Sequence, residues 1–158
     1  MIVFLDFDGV LHPFGDRHAR PFCDLPRFEA VMRDAPAASI VVTSTQREHQ
    51  TLAQLRAVFS PDVAARVVGV TPALPMHSAA DLAGSRHREI LAYLQAQPAS
   101  AALGPWVAVD DDATLYPAAL PNLLLCENGF SASEAAQLAR WLSDNNRMTT
   151  EVSDETRE

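Results

Sequence analysis

Short, continuous apolar runs alternate along this chain with longer stretches whose apolar residues recur every three or four positions. The short runs fall at about Met1–Asp6, Ser39–Thr43, Val67–Val70, Trp106–Val109 and Leu123–Cys126. Unbroken, β-branched runs of this kind predict strands buried on both faces of a parallel sheet. The longer stretches predict helices. Asp24 is placed as an N-cap with Pro26 in the first turn, and Phe28, Val31 and Met32 form the apolar side of a helix ending before Pro36. A second helix is expected from Arg47 to about Ser60, with Leu52, Leu55, Val58 and Phe59 as its stripe, and Pro61 opens a short turn or helix. A third runs from about Arg86 to Gln97 with Ile90, Leu91 and Leu94 inward. Ser131 and Glu134 form a capping box for the last, which ends near Asp144.

Strands alternating with helices imply an α/β fold: a doubly wound, mostly parallel, five-stranded Rossmann-like sheet with helices on both faces. The length suggests one domain, residues 1–144, followed by an acidic tail, residues 145–158, read as disordered. The composition is 48% hydrophobic, enough for a packed core. A net charge of −8 gives no support to a nucleic acid gripped along its backbone. It leaves open a phosphorylated group held by a metal and a few local arginines. All 12 basic residues are arginine, which with the abundant alanine suggests a GC-rich bacterial source. Cys23 and Cys126 lack metal-ligand spacing and read as buried free thiols. No leader peptide or long apolar span is visible, so a cytoplasmic protein with no membrane partner is expected.

The chemistry lies at the strand ends. The first run stops at Asp6 and Asp8, followed by Gly9, where the backbone can turn sharply. Two carboxylates this close repel, and Mg²⁺, which takes one or two carboxylates plus phosphate oxygens, removes the repulsion. The second run stops at Thr43, Ser44 and Thr45, and the fourth at Asp110, Asp111 and Asp112. In an open α/β sheet these ends share one edge, where ligands bind. Arg86, near the start of a helix, could reach the same edge.

DFDGVLH after a first strand, and the groups that follow it, resemble the four motifs of the haloacid dehalogenase (HAD) superfamily of phosphohydrolases over about Met1–Leu142. The resemblance implies Asp6 as nucleophile and metal ligand. It implies Asp8 as general acid and base, its backbone carbonyl also on the metal. Thr43 matches the hydroxyl donor to a phosphoryl oxygen, with Ser44 or Thr45 as alternatives one or two residues later. The third motif is usually Lys. Here it falls to Arg86, with Arg88 as runner-up, and an arginine fork can clamp phosphate bidentately. Asp111 is the first choice for direct ligand, Asp110 the second and Asp112 the third. Arg47 matches an Arg common after the second motif in capless members, where Trp often precedes it; here that neighbour is Gln46. Gly9, His12, Ser44 and Arg47 are candidate substrate contacts, and Arg17, His18 and Arg20 lie on a loop that could overlook the site.

The spacings leave no room for a cap domain, so the resemblance implies a capless Mg²⁺-dependent phosphatase acting through an aspartyl-phosphate. Capless members often act on macromolecular phosphates or use a second subunit, here a homo-oligomer partner, as lid. The loop Gly9–Cys23 would be a minimal flap. The alternative is a catalytically weak relative binding Mg²⁺ or a phosphorylated ligand for regulation, favoured by the missing Lys. Phosphatase and phosphotransferase share the aspartyl-phosphate step, and the sequence does not separate them.

Overall fold

A computed structural model describes residues 1–15, 19–99 and 104–154. Five strands, β1 (Ile2–Leu5), β2 (Ser39–Val42), β3 (Val67–Val70), β4 (Trp106–Asp110) and β5 (Leu123–Leu125), form one sheet in the order β3-β2-β1-β4-β5. Every pairing is parallel. The chain steps outward from β1 through β2 to β3, then crosses back to place β4 on the other side of β1. The reversal opens a crevice between β1 and β4 at their C-terminal ends, the position where such sheets bind ligands.

Alternation along each strand explains why the runs are apolar throughout. Val3, Leu5, Ile40, Val42, Val107 and Val109 face one core, shared with α1 (Leu25–Asp34), α2 (Leu52–Arg56), α3 (Pro61–Ala64) and α5 (Ala132–Asp154). Ile2, Phe4, Val41 and Ala108 face the other, shared with Ile90 of α4 (Ser85–Ala96) and with Leu115 and Tyr116. No cap domain is present among the described residues: α1 alone fills the connection after the flap loop, and α2, α3 and β3 lie between β2 and α4.

Several boundaries differ from the expected ones. The helix expected from Arg47 to Ser60 is a 3₁₀ turn at Thr45–Glu48 followed by the short α2. Thr51 and Gln54 form a capping box that starts a new helix at Leu52, so the two pieces are not continuous. In α4, Leu91 is exposed rather than buried. The inward positions are Arg86, Glu89, Ile90, Tyr93 and Leu94, a helical stripe from which Leu91 is rotated by about 100°. Helix α5 continues to Asp154 instead of stopping near Asp144, since no Pro or Gly interrupts Asn145–Asp154. Its start is as expected: Glu134 accepts from the Ser131 backbone N–H at 2.9 Å and from the Ser131 hydroxyl. Cys126 is buried, but Cys23 is exposed on the flap loop beside Asp24. No described helix is long and apolar enough to cross a membrane.

The α1 face is held by Phe28, fully buried and edge-on to Phe130 at 5.5 Å between centroids. Phe28→Ala is expected to cost about 3–5 kcal/mol through lost transfer energy and a residual cavity. Urea unfolding should show a lower midpoint at unchanged slope; an unchanged midpoint would mean that this core is not rigidly packed.

Candidate active site

The strand register assembles the site. Leu5 pairs with Val42 on one side and with Val109 on the other. One residue further on, Asp6, Thr43 and Asp110 therefore stand side by side, and the period of two turns all three toward the α4 face. The backbone ladder extends to them: Asp6 N–H donates to Val109 O at 3.0 Å and Thr43 N–H to Leu5 O at 2.9 Å. Arg86, in the first turn of α4, lies over this row. Its Nη1 is 3.1 Å from Thr43 Oγ1, 3.1 Å from Asp110 Oδ2 and 3.4 Å from Asp6 Oδ1. Burial works against the guanidinium's charge, but Asp6 and Asp110 outweigh it and hold its pKa above the usual value. Arg88, the other candidate, is exposed and donates to the carbonyls of Ala83 and Asp81.

Oxygens of Asp6, Asp110 and Asp111 lie within 4.8 Å of one another. Burial pushes the Asp6 carboxyl up to about 7, with Arg86 opposing and Asp110 adding to the rise. Asp111 is raised as well, first by burial and then by Asp110. Clustered, partly desolvated carboxylate oxygens are a donor set for a hard divalent cation such as Mg²⁺. Gly9 belongs to this cluster by exclusion. Its φ is +80°, and a Cβ there would lie 2.0 Å from Asp111 Oδ2. The third acid, Asp112, also lines this cleft while capping the next turn, accepting from Thr114 N–H at 2.9 Å. Tyr116, not anticipated from the sequence, donates its hydroxyl to Asp110 Oδ2 at 2.8 Å. Only its spacing six residues beyond Asp110 hinted at this, and a 3₁₀ turn had to fold the chain back first.

A cleft of about 370 Å³ opens here, lined by Asp6, Asp8, Phe14, Thr45, Arg86 and Asp111 among others. Of the three adjacent hydroxyls, Thr45 is at the cleft wall. Thr43 is fully buried beneath Arg86, and Ser44, also buried, accepts from Gln46 N–H at 3.4 Å as the cap of the 3₁₀ turn. Arg47 does not reach the cleft. Its guanidinium donates to Thr43 O, to Thr71 O at 3.0 Å and to Glu89 Oε2 at 2.6 Å, tying the ends of β2 and β3 to α4. His12 is 2% exposed and stands behind Asp8, with Nε2 2.8 Å from Asp8 Oδ1. Ser44, Arg47 and His12 are thus each turned into the protein by their own hydrogen bonds. Arg17 and His18 lie outside the described residues, and Arg20 is exposed. A second cavity, of about 310 Å³, lies at the opposite end of the sheet against Met1, Val31 and Leu142, away from the strand-end acids.

Two outcomes follow from this geometry. The folded protein retains the Asp6 proton up to about pH 7, whereas the unfolded chain releases it near 3.8. Between those values the unfolded state binds fewer protons, so this group's contribution to stability falls as pH rises. In EDTA, wild type should therefore lose stability relative to Asp6→Asn between about pH 4 and 7; parallel pH profiles would remove the burial argument. Gly9→Ala should destabilise the fold by about 1–2 kcal/mol from the left-handed backbone alone and displace Asp111. The rise in melting temperature on adding Mg²⁺ should shrink or vanish in this variant, and a full Mg²⁺ shift would show that Asp111 takes no part in the cluster.

No curated protein and no solved structure matches the chain at a significant level. A family model does, over residues 2–135, which contain every group described above from Asp6 to Tyr116. Its description is "HAD domain in Swiss Army Knife RNA repair proteins". The strand-end acids, the arginine over them and the sheet that aligns them agree with that match, and the chain is a member of this HAD family, within the HAD superfamily.

Proposed function

We propose that the protein is a Mg²⁺-dependent phosphomonoesterase acting through an aspartyl-phosphate on Asp6. The observation that carries this reading is the row of Asp6, Thr43 and Asp110 beneath Arg86, with Asp8 two residues beyond Asp6 in the same cleft. Asp6, Asp110 and Asp111 would hold the cation. Bound there, it supplies Lewis-acid neutralisation of the carboxylates and of phosphoryl oxygens.

In the first half-reaction an Asp6 carboxylate oxygen bonds to phosphorus. The ester P–O bond breaks with its electron pair going to the leaving oxygen, and the Asp8 proton transfers to that oxygen. In the second, Asp8 takes a proton from water. The water oxygen bonds to phosphorus, and the bond to Asp6 breaks, returning the carboxylate. Arg86, its position fixed from below by Thr43, donates to the phosphoryl oxygens in both halves, as does the Thr45 hydroxyl at the cleft wall. Arg86 beside Asp6 supplies the cation whose lysine form is missing from the chain. That supports an enzyme over a non-catalytic binder.

The family's description as a domain of RNA repair proteins supports a phosphate at an RNA end as substrate. A cleft without a cap admits the end of a long chain. A net charge of −8 suits capture of one terminal phosphate better than a grip along the backbone. The test is release of phosphate from RNA oligonucleotides ending in a 3′- or 5′-phosphate, and from p-nitrophenyl phosphate, with Mg²⁺ or EDTA. Metal-dependent release by wild type and loss of about 10³-fold or more in Asp6→Asn are expected. Equal turnover by Asp6→Asn would remove the covalent mechanism, and turnover of the aryl ester without any RNA end would remove the substrate class.

A further inference from the structure

Behind the proposed general acid stands a buried histidine that the phosphatase reading does not use. His12 closes a tight turn after β1, in which Gly9 N–H donates to His12 O at 2.9 Å. The turn brings the imidazole back against Asp8, with Nε2 2.8 Å from Oδ1. On the ring's other side, Phe22 N–H donates to Nδ1 at 3.4 Å. The Phe22 ring also meets the imidazole edge-on, at 4.7 Å between centroids. Phe22 has a φ of +52°, a left-handed backbone that a bulky residue adopts only where the surroundings impose it. At the same base of the flap loop, Asp24 N–H donates to Leu11 O at 2.9 Å.

These contacts favour one tautomer. A nitrogen that accepts a backbone N–H carries no proton, so Nδ1 is the bare nitrogen and Nε2 bears the hydrogen. Nε2–H therefore donates to Asp8 Oδ1. With Oδ1 committed as an acceptor, the proton that Asp8 exchanges belongs on Oδ2. Gln46 Nε2–H, on the 3₁₀ turn after β2, donates to that same oxygen at 3.4 Å.

We infer that His12 is the positioning residue of the general acid: through Nε2–H it holds the Asp8 carboxyl in the rotamer that presents Oδ2 to the leaving oxygen, and Phe22 N–H at the base of the flap holds His12. The inference rests on the phosphatase reading, with Asp8 as acid. It makes the orientation of the acid depend on the flap's return to the core. Proton transfer to the leaving oxygen then needs the His12–Phe22 pair, while phosphoryl capture by Arg86 and the strand-end acids does not.

The chemistry supplies a selective test. A p-nitrophenolate leaves without a proton, whereas an alkoxide, such as the sugar oxygen of a nucleotide, needs one. Turnover of p-nitrophenyl phosphate and of a nucleoside monophosphate is measured with Mg²⁺ for wild type, His12→Ala and His12→Gln. His12→Ala should lose about 10²–10³-fold in kcat/KM on the alkyl ester and less than about tenfold on the aryl ester, because kcat/KM reports the steps through departure of the leaving oxygen and not the hydrolysis of the aspartyl-phosphate that both esters share. His12→Gln, whose amide N–H reaches as far as Nε2–H, should recover most of the alkyl-ester rate. If His12→Ala does not fold, His12→Asn, which is too short to reach Asp8, takes its place. Equal losses in kcat/KM on the two esters, or none, overturn the inference while leaving the phosphatase reading intact. Wild type inactive on both esters and on RNA oligonucleotides ending in a 3′- or 5′-phosphate overturns the phosphatase reading and this inference together. Long-range ¹H–¹⁵N correlations of wild type should show His12 as the Nε2–H tautomer, and an Nδ1–H tautomer overturns the inference whatever the rates.

Discussion

A single guanidinium makes the rest of the site tolerable. Asp6 and Asp110 stand at the ends of adjacent strands of a parallel sheet, both buried, where two carboxylates would repel strongly. Arg86 lies within 3.4 Å of both. Its own burial is offset by those acids and by Glu89, whose Oε2 is 3.9 Å from Arg86 Nε. Glu89 in turn binds Arg47, which holds the carbonyl ends of β2 and β3. The ion pairs form a chain from the sheet's C-terminal edge through α4 and back to the sheet. Removing one member leaves another charge buried without its partner, which costs more than the pair contributes when intact.

The arrangement also explains the unusual inward face of α4. Its stripe is charged at the N-terminal end, with Arg86 and Glu89, and apolar further along, with Ile90, Tyr93 and Leu94. The sheet beneath it makes the matching change. Phe4, Val41 and Ala108 are apolar, and the next residues on that face are Asp6, Thr43 and Asp110. Helix and sheet change from core to site at the same level, so no charge is left facing an apolar layer.

Even so, the site is not relaxed. Burial raises the Asp6 carboxyl to about 7, Gly9 is forced into a left-handed turn against Asp111, and Phe22 adopts a left-handed backbone behind His12. All three lie in the β1 end and the flap loop. Strain and unfavourable ionisation at this end of β1, on a core packed on both faces, mark a region shaped for binding and chemistry rather than stability.

Local pattern was enough to determine the five strands, the parallel sheet and the acids at the ends of β1 and β4; burial on both faces holds for β1, β2 and β4, whereas the edge strands β3 and β5 are only partly covered, with Val68 exposed. Those features depend on residues adjacent in sequence and on the period of two. Helix ends were less legible: Thr51 restarts a helix where the apolar spacing ran on, and Leu91 looked inward until the packed face of α4 was known. The spatial partners of the site were decided by the tertiary structure. The crossover that sets β4 against β1 brings Asp110 to Asp6, 104 residues away by the numbering. The rotation of α4 selects Arg86 over Arg88, and a 3₁₀ turn returns Tyr116 to Asp110. His12, Ser44 and Arg47 carry the same residue types whether they face a substrate or the interior. Which they face is set by torsions and by hydrogen bonds to distant backbone, and the spacing of residues along a chain does not encode those.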